Sequence, residues 1–150
     1  MPPLHKLTQY AKYVGRGAKP SRAYEGDAGF DLAYSGEEPL LIEPDQAVDI
    51  PCGIGIQWPS EHMWGLMVGR SSTFRDRGLL VNLGVIDAGF RGELFAVTRN
   101  ISLDIVWVMP GDRVAQIIPL PLLAEGMGMM HMKQLDDSER GTNGFGSSGR

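Results

Sequence analysis

Short runs of apolar residues recur along this 150-residue chain, and each run is closed by Gly, Pro, Asn or Asp. Such runs are typical of β-strands, and no amphipathic pattern extends beyond about two helical turns. The runs that predict strands are Phe30–Tyr34, Leu40–Ile42, Ala47–Ile50, Ile54–Trp58, Met63–Val68, Leu79–Asn82, Glu93–Thr98, Ile105–Met109 and Arg113–Leu120. Short strands at this spacing predict an all-β barrel or a two-sheet jelly roll.

Three segments depart from this pattern. Ser72–Gly78 is polar and predicts a loop or one helical turn. The methionines of residues 127–132 favour gap-filling in a core or a subunit contact over a metal or redox role. The tail beyond about Leu135 contrasts with the core in composition, so we divide the chain into a core of residues 1–135 and an arm of residues 136–150.

Composition and charge narrow the class of protein. Twenty glycines and ten prolines fit frequent turns, and a net charge of −4 argues against non-specific binding of nucleic acid. No apolar run is long enough to span a membrane, and no secretory signal is present. The single Cys52 cannot form an internal disulfide, which fits a reducing compartment, and we expect a small buried residue in a cytoplasmic protein.

Residues 140–150 (RGTNGFGSSGR) contain four glycines, four small polar residues, two arginines and one aromatic ring. A segment of this composition cannot bury enough apolar surface to offset the entropy of ordering. It nevertheless carries a guanidinium for phosphate, glycine backbone N–H groups and a ring that can stack on a base. From composition alone, a frayed terminus and a nucleotide-binding arm are equally open.

Asp87 lies in residues 84–93 (GVIDAGFRGE), where a short apolar strand leads into a turn. We expect a β-hairpin with the acid at its base and the ring of Phe90 near its tip. An Asp in a turn usually accepts hydrogen bonds from nearby backbone N–H groups. A carboxylate held beside a pocket can instead act as a general base towards water.

Three further segments carry polar groups that suit a phosphorylated ligand. Residues 69–72 (GRSS) combine a guanidinium with two hydroxyls after a strand. Residues 27–32 (DAGFDL) place two acids four positions apart, and either acid suits a metal or an arginine. Residues 110–116 (PGDRVAQ) begin as a turn, in which Asp112 and Arg113 fit structural roles, and end at Gln116, which has the reach to contact a ligand.

Taken in order, five segments resemble the five motifs of the trimeric deoxyuridine triphosphatases (dUTPases), over about Ser21 to Gly149. They are Asp27–Leu32, Gly69–Ser72, Gly84–Glu93, Gly111–Gln116 and Arg140–Gly149. The resemblance implies a jelly-roll (β-clip-like) barrel with a flexible, glycine-rich C-terminal arm. It also implies a homotrimer in which three subunits share three active sites.

The resemblance implies that Asp87 orients and activates the attacking water. The slot for uracil and deoxyribose then lies between Asn82 and Gly92, in a loop about one residue shorter than in many members. The family usually has tyrosine where this chain has Phe90, whose ring still excludes a 2′-hydroxyl by shape but lacks the phenol's hydrogen bond. The residues that this resemblance assigns to the slot are Asn82, Gly84, Val85, Ile86, Phe90 and Arg91.

The remaining motifs are implied to hold the triphosphate and to close the site. Gln116 matches a residue near the α-phosphate, and Asp31 matches an acid that supports Mg²⁺ and its water shell without a direct protein ligand. Phe145 is implied to stack on uracil. The residues implied to contact phosphates or to lie in the closing arm are Arg70, Ser71, Ser72, Arg140, Gly146, Ser147 and Ser148.

The implied reaction is dUTP + H₂O → dUMP + diphosphate, with water attacking the α-phosphorus and Mg²⁺ as cofactor. It would limit uracil incorporation into DNA and supply dUMP for dTMP synthesis. A dCTP deaminase or a bifunctional deaminase–dUTPase shares the fold, but the position of its catalytic glutamate is occupied here by Val97. A nucleotide-gated regulatory protein on the same fold, with a protein partner, stays open as a second role.

Overall fold

The computed structural model describes residues 9–146 and 148–149 and is built almost entirely from antiparallel strands. The strands are β1 (Lys12–Gly15), β2 (Phe30–Ala33), β3 (Leu40–Ile42), β4 (Ala47–Pro51), β5 (Ile54–Gln57), β6 (Met63–Gly69), β7 (Leu79–Val81), β8 (Gly84–Ile86), β9 (Phe95–Asn100), β10 (Val106–Val108) and β11 (Arg113–Pro121). The all-β, jelly-roll-like class predicted from the pattern is confirmed. β1 was not predicted, because its four residues are all exposed and show no alternation of apolar and polar positions.

The strands form two main sheets and two ribbons. One sheet has the order β2-β11-β6-β8 and the other the order β4-β9-β7, while β1 pairs with β5 and β10 pairs with β3. Strand β9 shows how the layers close on a core: Ala96, Thr98 and Asn100 are buried, and the residues between them are exposed. The largest fully buried apolar side chains are Leu32, Ile42, Ile50, Ile54, Met67, Leu79, Leu94 and Ile117.

The polar segment after β6 forms helix α1 (Ser71–Arg77), so the expectation of a loop or a single turn was too short. The helix ends at Gly78, whose φ of 65° is in the left-handed region that favours glycine. The Gly78 N–H donates to the carbonyls of Phe74 and Thr73. Gly78 therefore ends the helix, a boundary that the polar composition of the segment alone does not reveal.

The expected hairpin around Asp87 was wrong in its pairing. Strand β8 pairs with β6, with Ile86 opposite Gly65, and not with β9, which pairs with β4 and β7. The chain therefore crosses from one sheet to the other through the Asp87 turn. The apolar run before the turn does not reveal this, because apolar alternation reports which face is buried and not which strand is the partner.

The chain from residue 123 onward packs little against the strands. Strand β11 ends at Pro121, and every described residue from 123 to the end of the chain is exposed. The four methionines of this segment, Met127, Met129, Met130 and Met132, are 57–98% exposed, so they fill no gap in the core of this chain. A subunit contact, the other interpretation of these residues, stays a prediction.

Candidate active site

A cluster of polar side chains lies where strands β2, β11 and β6 run side by side. Gln116 is opposite Asp31 on one side and opposite Val68 on the other, so the sheet register places these three residues in one row. Arg70 follows β6 directly, and its Nε lies 3.0 Å from Oδ1 of Asp31. We call Asp31, Arg70, Arg113 and Gln116 the phosphate cluster, after the ligand that its arginines suit.

The Asp31 carboxylate is the anchor of this cluster. Its side chain is only 16% exposed, and its second oxygen, Oδ2, lies 3.4 Å from Nη1 of Arg113. Of the two interpretations of the paired acids, the structure places arginine beside Asp31. Asp27 instead accepts hydrogen bonds from the backbone N–H groups of Ala23 and Tyr24, which is a structural turn.

Gln116 is held by hydrogen bonding and by close packing. Its Nε2 donates to the carbonyl oxygen of Gly69, at 3.1 Å, next to Arg70. Gly29 packs against the other face of this amide, and a Cβ added there would lie 2.8 Å from Oε1 of Gln116. The Gln116 amide can occupy this position because Gly29 has no side chain.

Ser71 and Ser72 open helix α1 immediately after Arg70. The Arg70 backbone is extended (φ −89°, ψ 148°), the first turn contains no acidic residue, and no side chain caps it. Ser71 is exposed and Ser72 is half-buried. Two hydroxyls thus follow a partly buried guanidinium, as the sequence predicted for a phosphate-binding segment.

Asp87 lies at the turn after β8 and is exposed. The turn is closed by the Phe90 N–H, which donates to the Asp87 carbonyl oxygen at 3.0 Å. Within residues 9–146 and 148–149, the Asp87 carboxylate forms no hydrogen bond or ion pair. The turn-capping role is thus absent, and this carboxylate is free to act on a ligand.

The ring of Phe90 is half-exposed beside Asp87. A Cβ on Gly92 would lie 2.6 Å from Cζ of Phe90, so the ring packs directly over the Gly92 backbone. The guanidinium of Arg91 donates to the carbonyls of Ala88 and Phe90, at 2.9 and 3.1 Å. Arg91 therefore holds the turn together, and its contact with substrate stays a prediction.

The other residues assigned to the slot lie in strand β8 or just before it. Gly84, Val85 and Ile86 form β8, and Val85 is exposed. Asn82 precedes this strand; its backbone N–H donates to the Val97 carbonyl, and its side-chain amide donates to the Leu83 carbonyl. Val97 is half-exposed on β9 and offers no ionisable group.

The slot and the phosphate cluster lie at opposite ends of strand β6. Ile86, next to Asp87, is opposite Gly65, whereas Arg70 follows the other end of the same strand. Arg70 is five positions along the chain from Gly65, which corresponds to about 17 Å along an extended strand.

The arm contacts itself and not the sheets. From residue 136 onward, the described hydrogen bonds all stay within the arm, as in the pair from Arg140 Nε to the Asn143 carbonyl at 3.0 Å. Ser138, Glu139, Arg140, Asn143 and Ser148 line an open concavity of about 540 Å³. Phe145 is fully exposed, and Gly146 beside it has a φ of 78°. Ser147 lies outside the described residues.

Sequence reasoning missed Arg113, which it took for a turn residue. The signal was the cross-strand register, in which β11 runs beside β2 and brings Arg113 to Asp31. Asp112 does have the structural role expected: it accepts from the Met109 N–H at 2.9 Å and pairs with Arg77 at 3.1 Å. Among the described residues, no three His, Cys, Asp or Glu side chains come together as a metal site.

The comparisons with known proteins agree with this geometry. A family model for dUTPase matches residues 16–149. The chain belongs to the dUTPase family. It is 38% identical over 133 residues to the deoxyuridine 5′-triphosphate nucleotidohydrolase of Desulfitobacterium hafniense strain Y51, covering 87% of this chain and 86% of that protein. The enzyme of the same name from Legionella pneumophila strain Paris is 34% identical over the same shares of both chains.

Solved dUTPase structures share the fold. The Staphylococcus bacteriophage 80alpha dUTPase with dUpNHpp superimposes with a TM-score of 0.77 at 25% identity, over 96% of this chain and 99% of that one. The dUTPase of phage phi11 of S. aureus, described with a structural Mg(II) ion, has a TM-score of 0.69 at 20% identity, over 87% and 99% of the two chains. In the described part of this dUTPase family member, no helix is long and apolar enough to cross a membrane.

Proposed function

We propose that this chain hydrolyses dUTP to dUMP and diphosphate, with the Asp87 carboxylate as the base for water. One observation carries the proposal: the Asp87 carboxylate is exposed and free of partners among the described residues, beside the ring of Phe90. A carboxylate without intramolecular partners can accept a proton from water at neutral pH. The activity would limit uracil incorporation into DNA and supply dUMP.

The phosphate cluster supports the second half of the reaction. The guanidinium groups of Arg70 and Arg113 both pair with the mostly buried carboxylate of Asp31. Their positive charges are therefore held in place before a ligand binds. Fixed positive charge near a phosphorane-like transition state lowers the barrier because little reorganisation is needed. Gln116 adds an amide next to Arg70, with Ser71 and Ser72 following it.

Magnesium fits this site as a partner of the substrate and not of a protein cage. The described residues contain no cluster of carboxylates, and Asp31 is already engaged by two arginines. Mg²⁺ commonly keeps its waters and takes phosphate oxygens, and when bound it neutralises phosphate charge. The resemblance to the family assigns Asp31 to the support of its water shell.

The resemblance to the dUTPase family implies a homotrimer with shared sites, and the separation along β6 is consistent with it. The Asp87 turn of one copy and the phosphate cluster of another would face a single nucleotide, and closed cyclic symmetry repeats that contact three times. The arm residues Arg140, Phe145, Gly146 and Ser148, together with Ser147, would then close over the nucleotide from a mobile segment. The free, fully exposed ring of Phe145 supports such a capture role.

Diphosphate release from dUTP, dCTP, dTTP and UTP, with and without Mg²⁺, tests the reaction. We expect turnover of dUTP alone, and we expect Asp87→Asn to lower kcat on the order of 10³-fold with nucleotide binding retained. Asp49→Asn, an exposed acid on β4, serves as the matched control and should stay active. Ammonia release from dCTP would favour the deaminase alternative. The sequence disfavours this alternative because Val97 has no ionisable group. Wild-type turnover in Asp87→Asn would exclude Asp87 as the base.

Mixing inactive variants tests the shared site. Asp87→Asn subunits and Arg70→Ala subunits, unfolded and refolded together in equal amounts, should recover about a quarter of the wild-type activity, because random assembly restores a quarter of the slot–cluster pairs. Each variant refolded alone is the control. No recovery in the mixture would mean that both halves of the site come from one copy.

A further inference from the structure

Five apolar side chains stay exposed at every second position through the turn after β9 and along β10. They are Ile101, Leu103, Ile105, Trp107 and Met109, and we call them the β10 patch. Leu103 is 94% exposed and Trp107 is 52% exposed. Single exposed apolar residues are ordinary on a protein surface, but five within nine positions concentrate exposed apolar surface in one region, and larger apolar patches mark interaction sites.

The strand itself is apolar on both faces. Val108 is fully buried and Val106 is half-buried on the inner face, whereas Ile105, Trp107 and Met109 lie on the opposite face. Strands that are apolar on both faces are normally covered on both faces. Among the residues that the structure describes, only those on the inner side of β10 cover this strand, so its outer face stays exposed.

The turn that carries the other two patch residues is rigidly held. Asn100 is fully buried, and its Nδ2 donates to the carbonyls of Ile42 and Asp104, at 3.0 and 2.8 Å. Its Oδ1 accepts from the N–H and the hydroxyl of Ser102. The exposed Leu103 is thus presented by a preformed turn, which reduces the entropy lost when it binds.

The patch is separate from the site proposed above. Within the described part of the chain, β10 pairs with β3, outside the sheet that carries Asp31, Arg70 and Gln116. Arg77 donates to the Trp107 carbonyl on one edge of β10 and pairs with Asp112. Because this guanidinium covers the edge, a partner would pack on the outer face and would not extend the sheet.

Charge and area favour a second copy of this chain as the partner. Residues 101–109 contain one charged residue, Asp104, and the flanking arginines Arg77 and Arg99 are already paired with Asp112 and Asp45. An uncharged apolar face is complementary to itself, as a two-fold contact requires. The five side chains expose on the order of 500 Å² per copy, so two copies reach the roughly 1,000 Å² that a specific interface needs.

We propose that the β10 patch is a two-fold contact between two copies of this chain, in which each copy belongs to a different active assembly. The contact joins the outer faces of β10 and doubles the mass of the assembly that holds the shared sites. It uses none of the residues assigned to dUTP, so activity does not depend on it.

Sedimentation velocity across a dilution series tests the contact. The wild-type protein should pass from a species of doubled mass to one of half that mass on dilution. The double variant Leu103→Asp/Trp107→Asp should keep the smaller mass at every concentration, with unchanged dUTP turnover. Leu103→Ser provides a milder change that should raise the dissociation constant at least tenfold. Tyr10→Asp, another exposed apolar-to-acid change, is the matched control and should behave as wild type.

Two results would overturn the proposal. If wild type and the double variant have the same mass up to high concentration, the patch does not bind a second copy, and a different protein or none covers it. If the double variant or Leu103→Ser falls to monomers and loses turnover, the patch belongs to the contacts that build the active site. Turnover and mass are measured separately. A wild-type protein with the doubled mass but no turnover would therefore contradict the proposed reaction and not the proposed contact.

Discussion

The phosphate cluster and the C-terminal arm carry the same chemistry in opposite physical states. In the cluster, the strand register and two ion pairs hold Asp31, Arg70 and Gln116 before any ligand binds. In the arm, Arg140 donates to the carbonyl of Asn143, its one hydrogen-bond partner among the described residues, and Phe145 is fully exposed. Preorganised charge stabilises a transition state, whereas an arm that orders on the ligand can close over it and release the product.

The difference implies that the two regions fail in different ways. Damage to the arm should remove activity without affecting the stability of the sheets, because the described hydrogen bonds of the arm stay within it. A substitution in the phosphate cluster should instead lower activity by displacing side chains, while the fold still forms. The predictions below separate these two modes of failure, from the largest expected effect to the smallest.

Removal of residues 140–150 should lower kcat/KM for dUTP on the order of 10²–10³-fold, because closure of the arm excludes water and adds the last phosphate contacts. The melting temperature should stay within about 2 °C of the wild-type value, since exposed residues contribute little to stability. Steady-state kinetics and thermal unfolding measure the two effects. Phe145→Ala is the conservative comparison and should raise KM more than it lowers kcat. A large fall in melting temperature would contradict the detached arm.

Asp31→Asn should lower kcat/KM by about 10–100-fold, because the amide no longer pairs with Arg70 and Arg113 and both guanidinium groups lose their fixed positions. Asp45→Asn is the matched control: it removes a carboxylate paired with Arg99 at 3.0 Å, far from the cluster, and should leave kinetics unchanged. Equal losses in both variants would mean that the effect is a general one of net charge.

Gly29→Ala should lower kcat/KM by about tenfold, because the new Cβ would lie 2.8 Å from Oε1 of Gln116 and displace the amide. Gly26→Ala adds a Cβ in open space and is the control. In a double-mutant cycle, Gly29→Ala should cost nothing further once Gln116 is replaced by Ala, since the displaced amide is absent. Additive losses would indicate that Gly29 acts through the backbone and not through Gln116.

The sequence predicted most strands because period-two alternation and turn residues are local properties of the chain. The resemblance to the family also assigned roles to Arg70, Asp87 and Gln116, and these roles stay predictions. Strand partners are not local, so the pairing of β8 with β6 and the approach of Arg113 to Asp31 were missed. The β10 patch was read as an ordinary strand, because a pattern of apolar residues cannot tell which face the rest of the chain leaves open.

The smallest expected effect concerns Cys52, whose thiol reports how readily the core opens compared with the exposed C-terminal segment. Burial raises the pKa of the Cys52 thiol to about 11, with the negative charge of Glu93 adding to the rise and a backbone hydrogen bond at Ala96 opposing it. The unfolded chain releases this proton near the ordinary pKa of 9.0. The stability due to the neutral thiol is therefore fully present below pH 9 and is lost as the pH rises through about 11.

Chemical unfolding between pH 8 and 11 should show a loss of about 2 kcal/mol in wild type that is absent from the pH slope of Cys52→Ala. The subtraction removes the lysines and tyrosines that titrate in the same range. Met129→Cys in the Cys52→Ala background supplies the comparison from the exposed segment that leads into the arm, because Met129 is 98% exposed. That thiol should react with a disulfide reagent at pH 8 as fast as a free thiol, whereas Cys52 should react only as the core opens. Fast labelling of Cys52 would mean that the core opens as readily as the exposed segment.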